Sequence, residues 1–441
     1  MKLRLLLTRE RRTRLIHKLF SFKQNIIPRL AGSLYALIII LTLTFTSCGI
    51  DLDSDGVTIM AAGGYHALAI KNDGTLWAWG RNQYGQLGDG TGCVIPLTEA
   101  NNKSSPVQIK IDKINYPNAI DTDWKAVAAG SAHTVAIKND GTLWAWGNNE
   151  QGQLGDGTQT DRNIPVQVGT DTDWATVGAG EFHTVATKEN GELWAWGYND
   201  SGQLGDNTTT PRSDTPVRVI GGASGEYLED VIAVSAGGKY TVAIKKNGEL
   251  WAWGNNSLGQ LGLGATPTTS RIPLQVGTDI DWKAVATGSS HTVAIKKNGE
   301  LWAWGWNTAG ELGDGTRTQH NRPVQVKIDP NKGIDTDWVS VSVGLFHTIA
   351  LKKDSTLWAW GWNNHGQLGK GTTEANTNIP ENHSPGRLGK AADLVEVSGG
   401  YEYSIALRRS GILWTWGNNS DGQLGNGTND ARNIPDFVEW E

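Results

Sequence analysis

The tetrapeptide Trp-Ala-Trp-Gly at residues 77–80 returns through the chain at nearly regular intervals. Its first tryptophan stands at seven places, the last of which begins the variant Trp-Thr-Trp-Gly: Trp77, Trp144, Trp194, Trp251, Trp302, Trp358 and Trp414. Successive copies are therefore 67, 50, 57, 51, 56 and 56 residues apart. Self-similarity with a period of this size predicts a repeat protein, in which each copy contributes one supersecondary unit.

Each copy lies in a longer unit, which is complete from Trp124 to the Ile-Pro-Val-Gln-Val run at 164–168. Runs such as 134–138 and 143–147 alternate large with small or polar residues at period two, which is typical of strands. Asn-Asp-Gly or a related sequence separates these runs and predicts a hairpin with a type I′ turn, which needs positive φ at both central residues. The unit therefore predicts four short antiparallel strands, namely the Pro-Val-Gln-Val run, the run that starts at Trp124, the His-Thr-Val-Ala-Ile-Lys run and the tetrapeptide run.

Seven four-stranded sheets predict an all-β fold, a seven-bladed β-propeller formed by residues 57–441. Blades that pack face to face cover both faces of every sheet, so we interpret the tetrapeptide tryptophans as core. The first repeat starts at Val57 without a preceding Pro-Val-Gln-Val run, and the chain ends on a similar run. We therefore expect the C-terminal strand, residues 435–440, to join the first blade and close the ring, which would remove an exposed sheet edge.

The pattern A-G-x-x-H-T-V-A-x-K-x-x-G-x-L-W-A-W-G-x-N-x-x-G-Q-L-G closely resembles the regulator-of-chromosome-condensation repeat. The resemblance covers roughly residues 57–441 and implies a seven-bladed propeller. Members of that family include guanine-nucleotide exchange factors, a plant ultraviolet photoreceptor and secreted inhibitors of β-lactamase, so the fold does not settle the function. The photoreceptor function requires tryptophan two residues before the histidine of the repeat. None of the seven positions holds tryptophan, which argues against the photoreceptor function. The residues there are Gly64, Ser131, Glu181, Gly238, Ser289, Leu345 and Tyr401.

Residues 1–47 have the composition of a signal peptide. Residues 1–29 contain nine basic residues and one acidic residue, and Leu30 to Ile50 carries no charge. Thr46 and Ser47 precede Cys48, an order that resembles a bacterial lipoprotein signal and implies lipidation of Cys48. The alternative is an uncleaved anchor, because 21 uncharged residues are long enough to cross a bilayer. Both interpretations place the propeller outside the cytoplasm, held at the outer membrane or cell surface, with residues 48–56 as an acidic tether.

Removal of residues 1–47 makes the remaining chain strongly acidic. Lys plus Arg falls from 39 to 30 and Asp plus Glu falls from 45 to 44, so the formal net charge changes from −6 to −14. Binding to nucleic acid needs clustered Lys and Arg to neutralise phosphates. The charge therefore excludes nucleic acid as a partner.

Strand alternation assigns the loops to two ends of the propeller. The Asp-Thr-Asp-Trp turns and the Asn-Asp-Gly hairpins share one end, and the Ala-Gly-x-x-His loops share the other end with the loops that follow each tetrapeptide. At this second end the asparagine two residues past the tetrapeptide occurs in all seven units, which indicates a structural role. The residues that vary between units, among which aromatic side chains are frequent, are our candidates for binding a partner. They are Tyr65, Phe182, Tyr198, Trp306, Phe346 and Trp362.

No pattern in the chain predicts an enzyme, a cofactor or a metal site. Five of the nine histidines hold one repeat position (His66, His133, His183, His291 and His347), and Tyr240 and Tyr403 replace it in the other two units. We interpret each as a group that bonds to neighbouring backbone within its blade. The repeated aspartates are interpreted as solvated turns, and Cys93 as a free structural thiol, because no second cysteine or nearby histidine accompanies it.

The sequence therefore predicts a non-enzymatic, membrane-anchored, extracytoplasmic scaffold that binds an unidentified protein. Three alternatives stay open: an inhibitor-like protein that caps an enzyme, a guanine-nucleotide exchange factor for a small GTPase, and a glycan-binding protein, because aromatic rings also stack on sugars.

Overall fold

The alternating runs of the repeats form 28 β-strands in the computed structural model. The structure describes residues 56–93, 101–111, 122–222, 225–327, 334–373, 377–382 and 393–440, all within one compact unit that extends from Leu52 to Glu441. The predicted signal peptide, Cys48 and the tether up to residue 55 lie outside the described residues. Within the described ranges, no helix is long and apolar enough to cross a membrane.

The strands form seven antiparallel sheets of four, each built from consecutive strands. The first blade comprises β1 (Val57–Ala62), β2 (His66–Lys71), β3 (Leu76–Gly80) and β4 (Lys103–Gln108). The second comprises β5 (Trp124–Ala129), β6 (His133–Lys138), β7 (Leu143–Gly147) and β8 (Arg162–Gln167). The third comprises β9 (Trp174–Ala179), β10 (His183–Lys188), β11 (Leu193–Tyr198) and β12 (Arg212–Arg218). The fourth comprises β13 (Val231–Ala236), β14 (Tyr240–Lys245), β15 (Leu250–Asn255) and β16 (Thr269–Gln275).

The remaining three blades repeat the pattern. The fifth comprises β17 (Trp282–Thr287), β18 (His291–Lys296), β19 (Leu301–Gly305) and β20 (His320–Gln325). The sixth comprises β21 (Trp338–Val343), β22 (His347–Lys352), β23 (Leu357–Gly361) and β24 (Thr377–Asn382). The seventh comprises β25 (Leu394–Gly399), β26 (Tyr403–Arg408), β27 (Leu413–Gly417) and β28 (Arg432–Phe437). The first strands of neighbouring blades contact one another, β25 contacts β1, and the seven blades therefore form a closed ring around a channel. This confirms the seven-bladed propeller.

The predicted hairpins are present, but their turn type differs from the prediction. In the first blade Lys71 N–H donates to Thr75 O at 2.9 Å, and Gly74 N–H donates to Lys71 O at 2.9 Å. Gly74 has φ of +78°, whereas Asn72 and Asp73 are absent from the described residues with positive φ. The loop is thus a three-residue hairpin with a type I turn and a left-handed glycine, because a type I′ turn would need positive φ at two residues. Asp73 stabilises it by accepting the Thr75 N–H at 2.9 Å.

The predicted pairing of the C-terminal strand with the first blade is wrong. β28 pairs with β27 in the seventh blade, and the first blade takes its outer strand from residues 103–108. In a closed ring, any strand of the repeat can be taken as the first. The prediction took the Pro-Val-Gln run as the first strand of each unit. In the structure each such run pairs with the tetrapeptide strand that precedes it, so every blade is complete within its own repeat.

The C-terminus still takes part in closing the ring, through a side chain. Trp440 packs edge-on against Trp77 and Trp79 of the first blade, with ring centroids 5.8 and 6.0 Å apart, and the Lys71 ammonium lies 4.2 Å from its ring centre. In the second blade Trp124 packs in the same way on both tetrapeptide tryptophans, at 6.3 and 5.9 Å. β1 has no tryptophan at its start, so Trp440 occupies in the first blade the place that Trp124 fills in the second.

The second tryptophan of every tetrapeptide is fully buried between blades, which confirms the interpretation as core for this position. Of the first tryptophans, Trp144 and Trp414 are buried and the other five are half-buried. The indole Nε1 of each second tryptophan donates to the backbone oxygen of the Gln or Glu in the Gly-x-Leu-Gly run of the preceding blade, at 2.8–3.0 Å. The pairs are Trp146 with Gln86, Trp196 with Gln153, Trp253 with Gln203, Trp304 with Gln260, Trp360 with Glu311, Trp416 with Gln367, and Trp79 with Gln423. The last pair joins the seventh blade to the first, so the closing interface uses the same bond as the other six.

Candidate binding surface

The two kinds of loop that the sequence assigned to the second end meet there in every blade. We call this the upper end. Its loops are the three residues before each His or Tyr of the repeat and the four residues after each tetrapeptide. The residue after the tetrapeptide donates its N–H to the backbone oxygen of the residue before the His position at 2.8–2.9 Å: Arg81 to Tyr65, Asn148 to Ala132, Tyr198 to Phe182, Asn255 to Lys239, Trp306 to Ser290, Trp362 to Phe346, and Asn418 to Glu402. The two variable positions of each repeat are therefore neighbours.

The invariant asparagine of these loops is structural, as its regularity indicated. In each blade its side-chain oxygen accepts the N–H of the leucine five residues later, at 2.9–3.1 Å. All seven asparagines are buried: Asn82, Asn149, Asn199, Asn256, Asn307, Asn363 and Asn419. The residues that repeat in every blade thus stabilise the upper-end loops, and the residues that vary between blades form the surface of that end.

All six predicted aromatic residues lie at the upper end and are half-buried. Two pairs form within single blades. Phe182 contacts Tyr198 edge-on at 6.4 Å, and Phe346 stacks on Trp362 at 5.1 Å with an interplanar angle of 23°. Each ring therefore rests on a partner from its own blade and keeps part of its surface open to solvent.

The other two aromatic residues have different neighbours. Tyr65 contacts Tyr401 of the seventh blade edge-on at 5.4 Å, and the Arg81 guanidinium lies 5.2 Å from its ring centre. Trp306 is paired through its backbone with the small Ser290. The predicted residues therefore fall into two groups on either side of the channel. Tyr65, Phe182 and Tyr198 belong to the first and third blades, and Trp306, Phe346 and Trp362 to the fifth and sixth.

Charged side chains are concentrated around the first of these groups. The upper-end loops carry five carboxylates, Glu150, Glu181, Asp200, Glu402 and Asp421, against two permanent cations, Arg81 and Lys239. The fifth- and sixth-blade loops carry none of these charges, and His365 is their one titratable group. The upper end thus divides into an acidic, tyrosine-rich side and an uncharged side with two tryptophans.

Contacts with neighbouring side chains hold several of these charged side chains in place. Arg81 Nε donates to Gln83 Oε1 at 3.1 Å and lies 3.9 Å from Asp421 Oδ1. Glu402 Oε2 accepts from Asn418 Nδ2 at 2.8 Å. Burial raises the pKa of Glu181, and nearby Lys239 opposes that rise.

Among the described residues, the upper end contains a channel mouth and a cleft beside it. The mouth of the central channel has a volume of about 90 Å³ and is lined in all seven blades by the segment that corresponds to Ala62, Gly63 and Gly64. Beside it, a cleft of about 210 Å³ lies over the second blade, where Ala132 and Ser131 are small. The cleft is walled by Tyr65, Tyr84 and Phe182 of the neighbouring blades. Tyr84 was not among the predicted residues, and Glu181 and Tyr401 were considered only as positions that lack tryptophan. The available signal for Glu181 and Tyr401 was their size, because the corresponding position holds glycine or serine in four other blades.

The repeated histidines join neighbouring blades and do not reach this surface. His133 Nε2 lies 3.0 Å from Thr184 Oγ1 of the next blade, and that hydroxyl donates to Gln153 O at 2.7 Å. Because the hydroxyl proton points to the carbonyl, the network places the histidine proton on Nε2. The prediction of bonding to backbone within each blade is therefore wrong for the histidines. Tyr240 does bond to backbone, since its hydroxyl donates to His291 O of the next blade at 2.6 Å.

At the opposite, lower end the repeated aspartates bind the chain's own lysines. Lys352 Nζ lies 2.7 Å from Asp335 and 2.9 Å from Asp337, and 4.9 and 5.1 Å from the ring centres of Trp338 and Trp358. These carboxylates are partly exposed, as expected of solvated turns, and in addition each is paired with a lysine, which the sequence did not predict. In the described part of the chain, no three His, Cys, Asp or Glu side chains are grouped so that they could hold a metal ion. Cys93 is a free thiol that donates to Tyr84 O at 2.9 Å.

Comparison with known proteins identifies the family of this propeller. The model of the RCC1-like domain matches residues 43–386, and models of the regulator of chromosome condensation (RCC1) repeat match residues 394–423 and 410–441. The chain belongs to the RCC1-like domain family. Among curated relatives, the RCC1-like chain is 31% identical to the ultraviolet-B receptor UVR8 of Arabidopsis thaliana over 377 residues, which cover 85% of this chain and 68% of that protein.

Other relatives of this RCC1-like protein differ widely in size. It is 28% identical to the human E3 ubiquitin-protein ligase HERC2, over 86% of its own length but only 6% of HERC2. Among solved structures, human WBSCR16 superposes with a TM-score of 0.68 at 22% identity, covering 82% of this chain and 88% of that one. Yeast RCC1 (Prp20), solved with Kap60, gives 0.65 at 21% identity, covering 79% of each chain. The structural matches establish the fold alone.

Proposed function

We propose that this RCC1-like propeller is a non-enzymatic scaffold that binds another protein through its upper end. One observation carries the proposal. The residues that repeat in all seven blades are used within the fold, whereas the variable positions combine half-buried aromatic rings with poorly compensated carboxylates around two concavities. Exposed aromatic side chains with a polar rim are the usual anchors of protein interfaces.

Replacing Trp306 and Trp362 together by alanine tests this proposal. Both side chains are half-buried at the upper end, and neither belongs to the fully buried core. We expect capture of partner proteins from a cross-linked extract of the native cells to fall at least tenfold. The melting temperature should change by only a few degrees, since the removed rings are partly solvated.

A matched control exists on the same two blades. Ile280 and Ile334 are 60% and 57% exposed and lie in the lower-end turns of the fifth and sixth blades. Their double alanine variant should capture as much partner as the unaltered chain. Unfolding of the tryptophan variant would show that these rings are core. Loss of glycan-array binding, rather than of protein capture, would favour the glycan-binding alternative over a protein partner.

We further propose that the propeller is held at a membrane outside the cytoplasm through lipidated Cys48. The support is the sequence alone, namely the basic start, the uncharged stretch and the small residues before the cysteine. The intact mass of the protein from its own membranes should correspond to a chain that begins at Cys48 and carries acyl groups. The Cys48→Ala form should lack that added mass.

An unprocessed chain without acyl groups in the soluble fraction would contradict this location. The exchange-factor alternative would then regain support, because small GTPases and their nucleotides are cytoplasmic. The inhibitor-like alternative is compatible with export, and it would be recognised by the identity of the captured partner.

A further inference from the structure

The residues that line the channel mouth include one from each blade that stands two positions before the His or Tyr of the repeat. These residues are Gly64, Ser131, Glu181, Gly238, Ser289, Leu345 and Tyr401. Glu181 is the only charged residue among them. Its Oε2 lies near Gly238, where an added Cβ would be 3.3 Å away, so the bare glycine leaves the carboxylate accessible from the mouth.

The charge of Glu181 is incompletely balanced by its surroundings. Lys239 is close enough to oppose the rise in the pKa of Glu181, but no cation of the described residues forms a salt bridge with it. The Lys239 ammonium instead lies over the ring of Tyr198, 5.3 Å from its centre. Because Glu181 is half-buried and only Lys239 opposes its charge from nearby, a cation that enters the mouth would be attracted to the carboxylate.

A second polar group lies at the mouth. The hydroxyl of Tyr401 is buried, and the Ser131 side chain is its hydrogen-bonding neighbour. The edge-on contact with Tyr65 at 5.4 Å fixes the ring in place. Buried hydroxyls normally have a hydrogen-bond partner. The oxygen of this one is placed to accept a bond from an N–H group that enters the cavity.

The dimensions of the two concavities suit one side chain and the loop that carries it. The mouth, at about 90 Å³, has room for several waters and therefore for a single side-chain head group. The cleft of about 210 Å³ shares Ser131 with the mouth and is walled by Tyr65, Tyr84 and Phe182. Arg81 and Glu150 also line the cleft, and the Arg81 guanidinium already lies over the Tyr65 ring. The aromatic walls therefore suit the apolar stems of the residues that flank the inserted side chain.

We propose that the channel mouth receives an arginine or lysine side chain from a protruding loop of the partner protein, with Glu181 and Tyr401 as its ligands. This rests on the proposed function and adds the chemistry of the partner. It assigns the acidic side of the upper end to a basic loop, and leaves the tryptophan side for apolar contacts.

Disulfide-closed hairpin peptides that differ only at the tip residue test the proposal with the full-length chain. Arginine, lysine, citrulline and glutamate at the tip are compared by isothermal titration calorimetry. We expect the arginine and lysine peptides to bind at least tenfold more tightly than the citrulline and glutamate peptides. Glu181→Gln should abolish this preference, and Tyr401→Phe should weaken arginine binding several-fold.

Glu189→Gln is the matched control, because Glu189 is an exposed glutamate of the same blade at the lower end. It should bind the arginine peptide like the unaltered chain. Thermal melting identifies any variant that fails to fold. Equal affinity for all four tips, or no binding of any of them, would overturn the proposal. Binding of spermine as tight as that of the arginine peptide would also overturn it, because the site would then take a small polyamine.

Partner capture separates this inference from the proposed function. Should Glu181→Gln capture the partner undiminished while the Trp306 and Trp362 double variant loses it, the basic-loop inference fails and the protein-binding function stands. Failure of both variants to change capture would remove both proposals.

Discussion

Lowering the pH from 7 to 5 is expected to destabilise the propeller by about 10 kcal/mol through its five inter-blade histidines. Burial lowers the pKa of each to about 3: His66, His133, His183, His291 and His347. A histidine in the unfolded chain titrates near its usual value of about 6.5. The stabilising effect of a neutral, buried histidine is therefore complete above pH 6.5 and is lost as the pH falls toward 3.

The expected slope follows from the number of protons taken up on unfolding. Each proton contributes about 1.4 kcal/mol per pH unit, so five contribute about 7 kcal/mol per pH unit below pH 6.5. Glu396 of β25 acts in the opposite direction, because burial raises its pKa to about 7 and it becomes neutral in the folded state as the pH falls. Its contribution over the same interval is about 2 kcal/mol. Five histidines outweigh one carboxyl, and stability should decrease steeply with acid.

Urea unfolding at pH 8, 7, 6 and 5 measures this dependence. The chain itself provides the matched variant, since Tyr240 and Tyr403 occupy the histidine position in two blades and bond to the next blade through their hydroxyls. His133→Tyr should fold and should reduce the slope below pH 6.5 by about one proton, or 1.4 kcal/mol per pH unit. A slope that the substitution leaves unchanged would show that the histidines do not control the acid sensitivity.

Substitution of Gly180 by alanine is expected to lower the free energy of unfolding by about 3 kcal/mol. Gly180 precedes the upper-end loop of the third blade, and a Cβ there would lie 2.5 Å from Gly237 O of the next blade and 2.5 Å from His183 Cε1. Neither neighbour can move easily, because one is backbone of an adjacent blade and the other is a buried ring held by a hydrogen bond to Thr241. The glycine is required by close approach and not by its φ, which lies outside the left-handed region.

Gly178 provides a control two residues away on β9. The nearest atoms to a Cβ at Gly178 are Val185 Cγ2 at 3.1 Å and Val234 O at 3.7 Å. The same strand position holds alanine in other blades, including Ala128 and Ala286. Gly178→Ala should therefore change the free energy of unfolding by less than about 1 kcal/mol. If urea unfolding shows the same loss for both variants, crowding at the ring of upper-end glycines is not the cause.

Local residue patterns account for the parts of the fold that were predicted correctly. Strand periodicity and glycine-containing turns are properties of a few consecutive residues, so the strands, the hairpins and the two sets of loops followed from the sequence. The structural role of the repeated asparagines was also predicted correctly, because each side chain accepts a leucine N–H from only five residues away. The hairpin turn type was not, since Asn-Asp-Gly is compatible with a two-residue loop and with the three-residue loop that Gly74 adopts.

Two parts of the candidate surface could not be predicted. The sequence singled out Phe346 and Trp362 separately, and only the folded blade brings them together in a stack. Glu181 and Tyr401 stand 220 positions apart in the sequence, and the closed ring alone places both at the channel mouth.

The pairing of the lower-end aspartates with lysine was not predicted either, because the lysine that binds them comes from the next hairpin along the chain.

The sequence by itself determined that the chain is an all-β, seven-bladed repeat protein with a structural tryptophan in every blade. It could do so because the repeat period, the strand alternation and the turn residues are properties of short segments of the chain. Only the tertiary structure decided which strand completes each blade, that Trp440 fills the first blade's missing tryptophan, and that the histidines join neighbouring blades. These are contacts between residues distant in the chain. In a cyclic array of equivalent repeats, they depend on how the ring closes and not on any local pattern.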